Sequence, residues 1–568
     1  MINIKIDNKK YSAQLGETIL EVALRNNIKI PTLCHHPDLD VRAGCRVCVV
    51  EIKNHAKLMT ACSTKVQSDW EIFTNSPRVQ KARNLNIELL FAAHIEKCAN
   101  CTLRFNCDLL KMARDYEIKI TRFPDRKNKR KTYKFSNAVE IDGSQCIDCS
   151  NCISACNRQG INFLEMQGNG VNQEIKPKRD KNHTCIYCGQ CANACPVASA
   201  QEQDDWSQVE KELNNKKTIV VAQFAPAVRV SIGEEFGLPY GTNCAKKINT
   251  ALKILGFNRI FDVNFGADIT TMTEAEELLE RLTNKNSALP MFTSCCPAWV
   301  AYVEFYHPEL IPNLTTARSP HIHSAGAIKS YLADKNKLKA KNIKVVSIVP
   351  CTAKKYEAAR AELKYQGQPL VDYVLTTREL AFLMKKNNIN LAALQDSETD
   401  SFFNDGSGAA AIYGASGGVM ESALRTAVAL ACEQKKNKNK LCHNRLEFKE
   451  VRGLKGFKSA VVSVAGKKVK VGVINGIGNL PTVLSKIKDY HYIEVMACPG
   501  GCLGGGGQPL PTTDAIRKKR LEGMYRIDCQ KNIRRAHENK VMMDYYNWVK
   551  KKKLDHKLLH THFHRNKI

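Results

Sequence analysis

Two runs of cysteine constrain this chain more than any other feature: Cys146, Cys149, Cys152 and Cys156, then Cys185, Cys188, Cys191 and Cys195, each spaced by two, two and three residues. Of 24 cysteines in 568 residues, fifteen lie between Cys34 and Cys195. Disulfide networks do not need regular short spacing. Metal clusters do, because a short stretch of backbone must aim several sulfurs at one point. A long chain whose first ten residues are charged, with no apolar leader-like stretch, is expected to carry no secretory signal, so metal ligation is the better reading. The expected location is cytoplasmic, with the matrix of an organelle as the alternative. The length suggests roughly three to five domains. A hydrophobic share of 43% can build ordinary cores, and no apolar run is long enough for a membrane span.

The paired runs resemble the bacterial two-cluster ferredoxin repeat, in which the fourth Cys of each run ligates the other cluster. One 4Fe-4S cluster is then expected on Cys146, Cys149, Cys152 and Cys195, and the other on Cys185, Cys188, Cys191 and Cys156. Structural zinc is the competing reading. Asn157 stands where the first run would usually carry Pro. Upstream, Ile2, Ile4 and Ile6 alternate into a turn at Asp7-Asn8, Tyr11 to Gln14 can return as a second strand, and Glu17 to Asn26 reads as an amphipathic helix. The loop-borne Cys34, Cys45, Cys48 and Cys62, spaced ten, two and thirteen, suit a 2Fe-2S cluster. They resemble the two-iron module of the large iron–sulfur subunit of respiratory complex I. His94, Cys98, Cys101 and Cys107 follow a helical pattern over Leu85 to His94. A lone His there is more often a surface or core residue. With three cysteines beside it, one imidazole and three thiolates complete the set for a third accessory 4Fe-4S cluster.

Beyond a polar linker or connecting helix at Gln201 to Lys217, the texture changes. Short β-branched runs (Thr218 to Gln223, Lys344 to Val349, Val461 to Val464, Val469 to Ile474) alternate with amphipathic helices such as Glu274 to Leu282 and Thr377 to Lys386. This predicts an α/β domain with mainly parallel sheets. Three cysteine-bearing segments adjoin apolar runs: Thr293 to Trp299 with Cys295-Cys296, Val349 to Lys355 with Cys351, and Met496 to Pro509 with Cys498 and Cys502. Strand-end crevices are where open α/β sheets place ligands.

These segments resemble, in order, the three signature motifs of the iron-only hydrogenases, and the N-terminal modules match the long clostridial type with four accessory clusters. The resemblance covers about residues 1–530. It implies reversible conversion of two protons and two electrons to H2 at an H-cluster. Cys296, Cys351, Cys498 and Cys502 would hold its 4Fe-4S cubane. Cys502 would bridge to a di-iron subcluster bearing CO, cyanide and dithiomethylamine, installed by maturation proteins. Lys354, Met496, Val349 and Ala227 would surround that cofactor. A proton route would run through Cys295, Glu274, Thr315 and Glu277. Taken without the family, Cys295 reads as a buried small hydrophobe, Lys354 as a surface lysine, and Glu274 and Glu277 as solvated helix glutamates. Three departures stand out: Thr315 for the usual Ser, Val349 for the usual Met, and His321 for the usual Gln.

The expected architecture is α+β and multidomain: a β-grasp 2Fe-2S module (1–80), a His/Cys 4Fe-4S module (81–135), a two-4Fe-4S ferredoxin module (136–205), an α/β catalytic domain (206–530) and a basic tail (531–568). His560, His562 and His564 alternate in that tail and read as a solvated or interface-packed end. Cys244, Cys432, Cys442 and Cys529 read as ordinary thiols. The formal charge of +29 invites a nucleic-acid reading, which cluster thiolates and sulfides offset. Lysine runs at 335–344, 435–440 and 550–553 are solvated faces or a steering field for an acidic ferredoxin. The rivals are a subunit of a flavin-containing NAD(P)-linked complex and a hydrogen-sensing, non-turnover homologue.

Overall fold

The computed structural model describes residues 1–180, 182–434, 446–464 and 466–566. Cys442 and the 435–440 lysine run lie outside them. At the N-terminus the alternating isoleucines form Ile2–Ile6, paired antiparallel with Lys9–Ala13 across the Asp7-Asn8 turn. Three further strands complete a five-stranded sheet. The helix Ile19–Arg25 lies on it, started by a capping box in which Thr18 and Glu21 satisfy each other's backbone N–H groups. Ile4, Ile6, Ile19, Leu20 and Ile72 fill the space between.

Pro77–Phe91 is the helix before His94, capped by Ser76 with Pro at its first position. The ferredoxin-like unit pairs Ala200–Glu202 with Val139–Asp142 and that strand with Thr132–Phe135. Part of the expected linker at 201–217 is therefore a sheet strand. The rest is the helix Trp206–Leu213, whose Trp206 and Val209 are buried in the next domain.

That domain holds two four-stranded sheets. In the first, Arg259–Asp262, Ile219–Phe224, Ile343–Ile348 and Tyr373–Leu375 all run parallel. In the second, Met291–Phe292, Tyr492–Met496 and Lys467–Asn475 run parallel, and Phe457–Val464 closes the edge antiparallel. The twenty-residue helix Asn264–Thr283 is buried on every face over its first half, Asn264 to Ala275. Such a helix is a central element of the core rather than a surface amphipath. No helix among the described residues is long and apolar enough to cross a membrane.

The C-terminus is not a tail. Lys540–Lys551 is a helix whose Met542, Tyr545, Tyr546 and Val549 are buried in the largest core. Those positions, spaced three, four and seven along the chain, form one apolar stripe; the lysines around 550 lie off it and dominate the composition. The next segment crosses back over the core and bridges His560 to Ala317.

Candidate active site

Three strands deliver the three cysteine motifs. Met291–Phe292 leads to Cys295-Cys296 and the helix Pro297–Tyr306, Ile343–Ile348 to Cys351 and the helix Ala353–Ala358, and Tyr492–Met496 to Cys498 and Cys502. Their C-terminal ends meet at one largely apolar cavity. Cys296, Cys351, Cys498 and Cys502 line it together with Cys295, Lys354, Met496, Val349, Ala227 and His321. Every cofactor-contact position named from the sequence is in this wall. Burial pushes the thiols up, Cys502 to about 12, so a cation must offset the loss of solvation before they serve as thiolates.

Lys354 is 8% exposed, and its ammonium donates to the Cys295 carbonyl at 3.1 Å and to Glu357 Oε2 at 2.6 Å. His321 Nε2 shares that carboxylate at 2.7 Å, while Nδ1 faces the Ser347 hydroxyl at 3.1 Å. Burial, and then the Lys354 charge, hold His321 down at about 4, so the ring is neutral and donates from Nε2. Neither Glu357 nor Ser347 was marked by the sequence.

On the proton side, Glu274 is 1% exposed and accepts from Tyr492 at 2.8 Å and Tyr413 at 3.3 Å. Burial raises its carboxyl to about 8, with Glu277 adding repulsion. Burial, followed by the Glu274 charge, pushes Cys295 well above the ordinary thiol range. Thr315 donates to Glu277 Oε2 at 2.7 Å, and Arg281 holds Oε1 at 2.6 Å. No direct hydrogen bond joins the Glu274 group to the Thr315–Glu277 pair among the described residues. Tyr413 and Tyr492 were missed. The Gly-rich stretch after Tyr413 was the available signal, whereas nothing local marks Tyr492.

The other donor sets assemble as separate groups. Cys146, Cys149, Cys152 and Cys195 line one cavity, joining the two runs as the crossed pattern requires. Cys185, Cys188 and Cys191 lie within electrostatic reach of Cys156. In the N-terminal module, Cys48 and Cys62 sulfurs are 3.4 Å apart. His94 lines a cavity with Cys98, Cys101 and Cys107, and its Nε2 is buried without a hydrogen-bond partner. An orphaned imidazole nitrogen beside three thiols is what a metal-ligating His needs. Among the described residues, no three such side chains close around a single ion. Cys244 and Cys432 are buried apart from these sets, and Cys529 is exposed.

The modules abut. Cys34, Cys45, Cys146, Cys149, Cys152 and Cys195 share one core. The Cys498 thiol reaches the Cys188 carbonyl at 3.9 Å, and Thr352 donates to the Tyr187 carbonyl at 2.7 Å. A Cβ on Gly506 would stand 2.6 Å from the Gly189 Cα, so only bare backbone fits that seam.

Residues 218–506 match the model of the iron-only hydrogenase large subunit, C-terminal domain. The chain belongs to the iron-only hydrogenase family. A 2Fe-2S iron–sulfur cluster binding domain matches residues 1–77, a 4Fe-4S dicluster domain 145–199, and the iron hydrogenase small subunit 514–566. The last match covers the helix and crossing segment that the sequence reading took for a tail. The chain is 38% identical to the NADP-reducing hydrogenase subunit HndD of Solidesulfovibrio fructosivorans, over 99% of each chain. It is 38% identical to iron hydrogenase 1 of Clostridium pasteurianum, over 96% of each. Among solved structures, the apo FeFe-hydrogenase HydA1 from Chlamydomonas reinhardtii, in a variant form, matches at a TM-score of 0.56 and 37% identity, over 64% of this chain and 99% of that one. These matches support an oxidoreductase acting on hydrogen with iron–sulfur cofactors.

Proposed function

We propose that the chain catalyses 2 H⁺ + 2 e⁻ ⇌ H2, with Cys296, Cys351, Cys498 and Cys502 holding the cubane of an H-cluster and maturation proteins installing its di-iron part. The observation that carries this reading is the single cavity on which those four cysteines, Cys295 and Lys354 converge. When bound, the di-iron group supplies a Lewis acid for dihydrogen and a base on its bridge. The protein's own part is to orient, to exclude water and to move protons. Lys354, fixed by Glu357, presents a compact cation to the cavity for an anionic ligand such as cyanide. Apolar Val349, Met496 and Ala227 keep the site dry. Glu274, which burial keeps protonated at neutral pH, releases its own proton as it takes one from Cys295, or the reverse, and Thr315 and Glu277 continue the route outward.

Electrons would enter through one 2Fe-2S and three 4Fe-4S clusters. The Cys34 and His94 sets both adjoin the Cys146 set, and the Cys185 set touches the cubane ligand Cys498. An acidic ferredoxin fits the chain's net positive charge, in a cytoplasmic or organelle-matrix setting. The similarity to an NADP-reducing hydrogenase subunit favours a second reading, in which a flavoprotein partner feeds the same clusters from NADPH.

Anaerobically matured protein should evolve H2 from reduced methyl viologen, and Cys295→Ala should abolish most of it. Infrared CO and cyanide bands without turnover would refute catalysis. Turnover with reduced ferredoxin alone, against a requirement for a co-purifying flavoprotein, separates the two electron donors.

A further inference from the structure

Glu277 is where the proton route nears the surface, and its bonding leaves few ways out. Oε1 is held by Arg281 at 2.6 Å. A guanidinium has no acceptor site and does not give up its proton, so it cannot take one from Glu277. Oε2 accepts from the hydroxyls of Thr315 at 2.7 Å and Thr316 at 2.9 Å, and from the Thr316 amide at 2.9 Å. The Thr316 hydroxyl has a further partner, His560 Nδ1, at 2.8 Å. Because that hydroxyl gives its hydrogen to Glu277, its oxygen receives one from the imidazole. This yields an unbroken chain of donors: His560 Nδ1–H, Thr316 O–H, Glu277.

His560 is placed there by the C-terminal segment. Its carbonyl accepts from Arg318 Nε at 2.8 Å, and the next amide, that of Thr561, donates to the Thr316 carbonyl at 2.8 Å. The ring is half-buried. Its centroid lies 6.0 Å from that of His556, whose side chain is 85% exposed. Burial is the chief influence and lowers its basicity; of the charged groups facing it, Glu277 and Asp555 favour the imidazolium, and His556 and Arg318 oppose it.

We propose that His560 is the outer proton-exchange residue of this hydrogenase, trading protons with solvent and passing them through the Thr316 hydroxyl to Glu277. In the inward step the Nδ1–H bond of the imidazolium breaks as Thr316 takes that proton, and the Thr316 O–H bond breaks as Glu277 takes the other. Imidazolium and carboxylate become imidazole, left with Nε2–H, and carboxylic acid, and hydronium or a buffer acid from solvent returns the second proton to Nδ1. The outward step reverses each transfer. The inference rests on the reading that Glu274 and Glu277 carry protons.

The test follows the protonated Glu274 carboxyl band, identified by its loss in Glu274→Gln, as holoenzyme is mixed into deuterium oxide under stopped-flow infrared detection. His560→Ala and Thr316→Val should slow its exchange about threefold to tenfold in dilute buffer, a modest share of what a positioned acid–base group supplies. Added imidazoles should restore the His560→Ala rate in the order of their basicity, which simple filling of space would not follow. Glu277→Gln should slow exchange whatever the buffer. His560→Gln, which can keep a hydrogen bond to Thr316 but cannot titrate, should behave like His560→Ala. If His560→Gln instead matches the unmodified protein, His560 is only a structural pin and the proposal fails while the route stands. If Glu277→Gln changes nothing, the route and the proposal fail together.

Discussion

Replacing Glu357 by Gln removes a carboxylate that two buried groups share. Lys354 and His321 reach the same Oε2 at 2.6 and 2.7 Å. The two partners hold the Glu357 carboxyl down from its ordinary 4.5 to about 2, the Lys354 charge being the larger influence against an opposing effect of burial. That displacement corresponds to about 3 kcal/mol of native-state stabilisation at neutral pH. It agrees with the ~3–5 kcal/mol expected when one partner of a buried pair is removed. The stabilisation is present above pH 4.5 and is lost as pH falls toward about 2. Over a catalytic domain of about 325 residues, Glu357→Gln should therefore lower the anaerobic melting temperature by about 4–5 °C at pH 7. The double variant Glu357→Gln/Lys354→Met should recover much of the loss, because no uncompensated ammonium remains. Circular dichroism melts of the four proteins in a double-mutant cycle give the coupling. A coupling under about 0.5 kcal/mol would refute the view that this carboxylate holds Lys354 in place.

Glu274→Gln fixes the neutral form, so hydrogen evolution should fall at least about 100-fold in methyl-viologen assays. Because burial raises the native carboxyl to about 8, Glu274 favours folding below pH 4.5 and loses that contribution as pH rises through about 8. Denaturation between those limits should accordingly be flatter in the variant. Cys195→Ser should impair the cluster of Cys146, Cys149 and Cys152 rather than that of Cys185, Cys188 and Cys191, as read by iron content and paramagnetic resonance. His94→Ala should lose about four irons, whereas His94→Cys should retain them at a lower reduction potential, since a thiolate adds negative charge.

The groupings of cysteine and histidine were legible where chemistry is local. Spacings of two and three residues force neighbouring sulfurs together, and the crossing of Cys195 to Cys146 follows from a repeat. Strand-and-helix alternation was equally local, so the runs near 219 and 344 became the central parallel pair. What the sequence concealed depends on elements far apart in the chain. Tyr492 meets Glu274 across 218 residues, and Tyr413 across 139. Glu357 looks like one more helix glutamate until His321 and Lys354 fold onto it. The C-terminal helix was misread because its lysines outweigh the four apolar residues of its stripe. His321 stood out only as a departure from the usual Gln; its neutral ring braces Glu357, the partner of Lys354.

The contact of Gly189 with Gly506 limits how this molecule can change. A side chain on Gly506 would strike the Cys188 carbonyl and the backbone of Gly189, and one on Gly189 would strike Thr352. Neither segment can gain even a methyl group unless the other retreats, so the two are free to drift only as a couple. Without the ferredoxin-like unit, the Cys188 and Gly189 backbone that bars a side chain at Gly506 would be gone. Acquiring or discarding the electron-carrying modules is thus more than joining or cutting a chain. It also redraws which residues the catalytic loop is permitted.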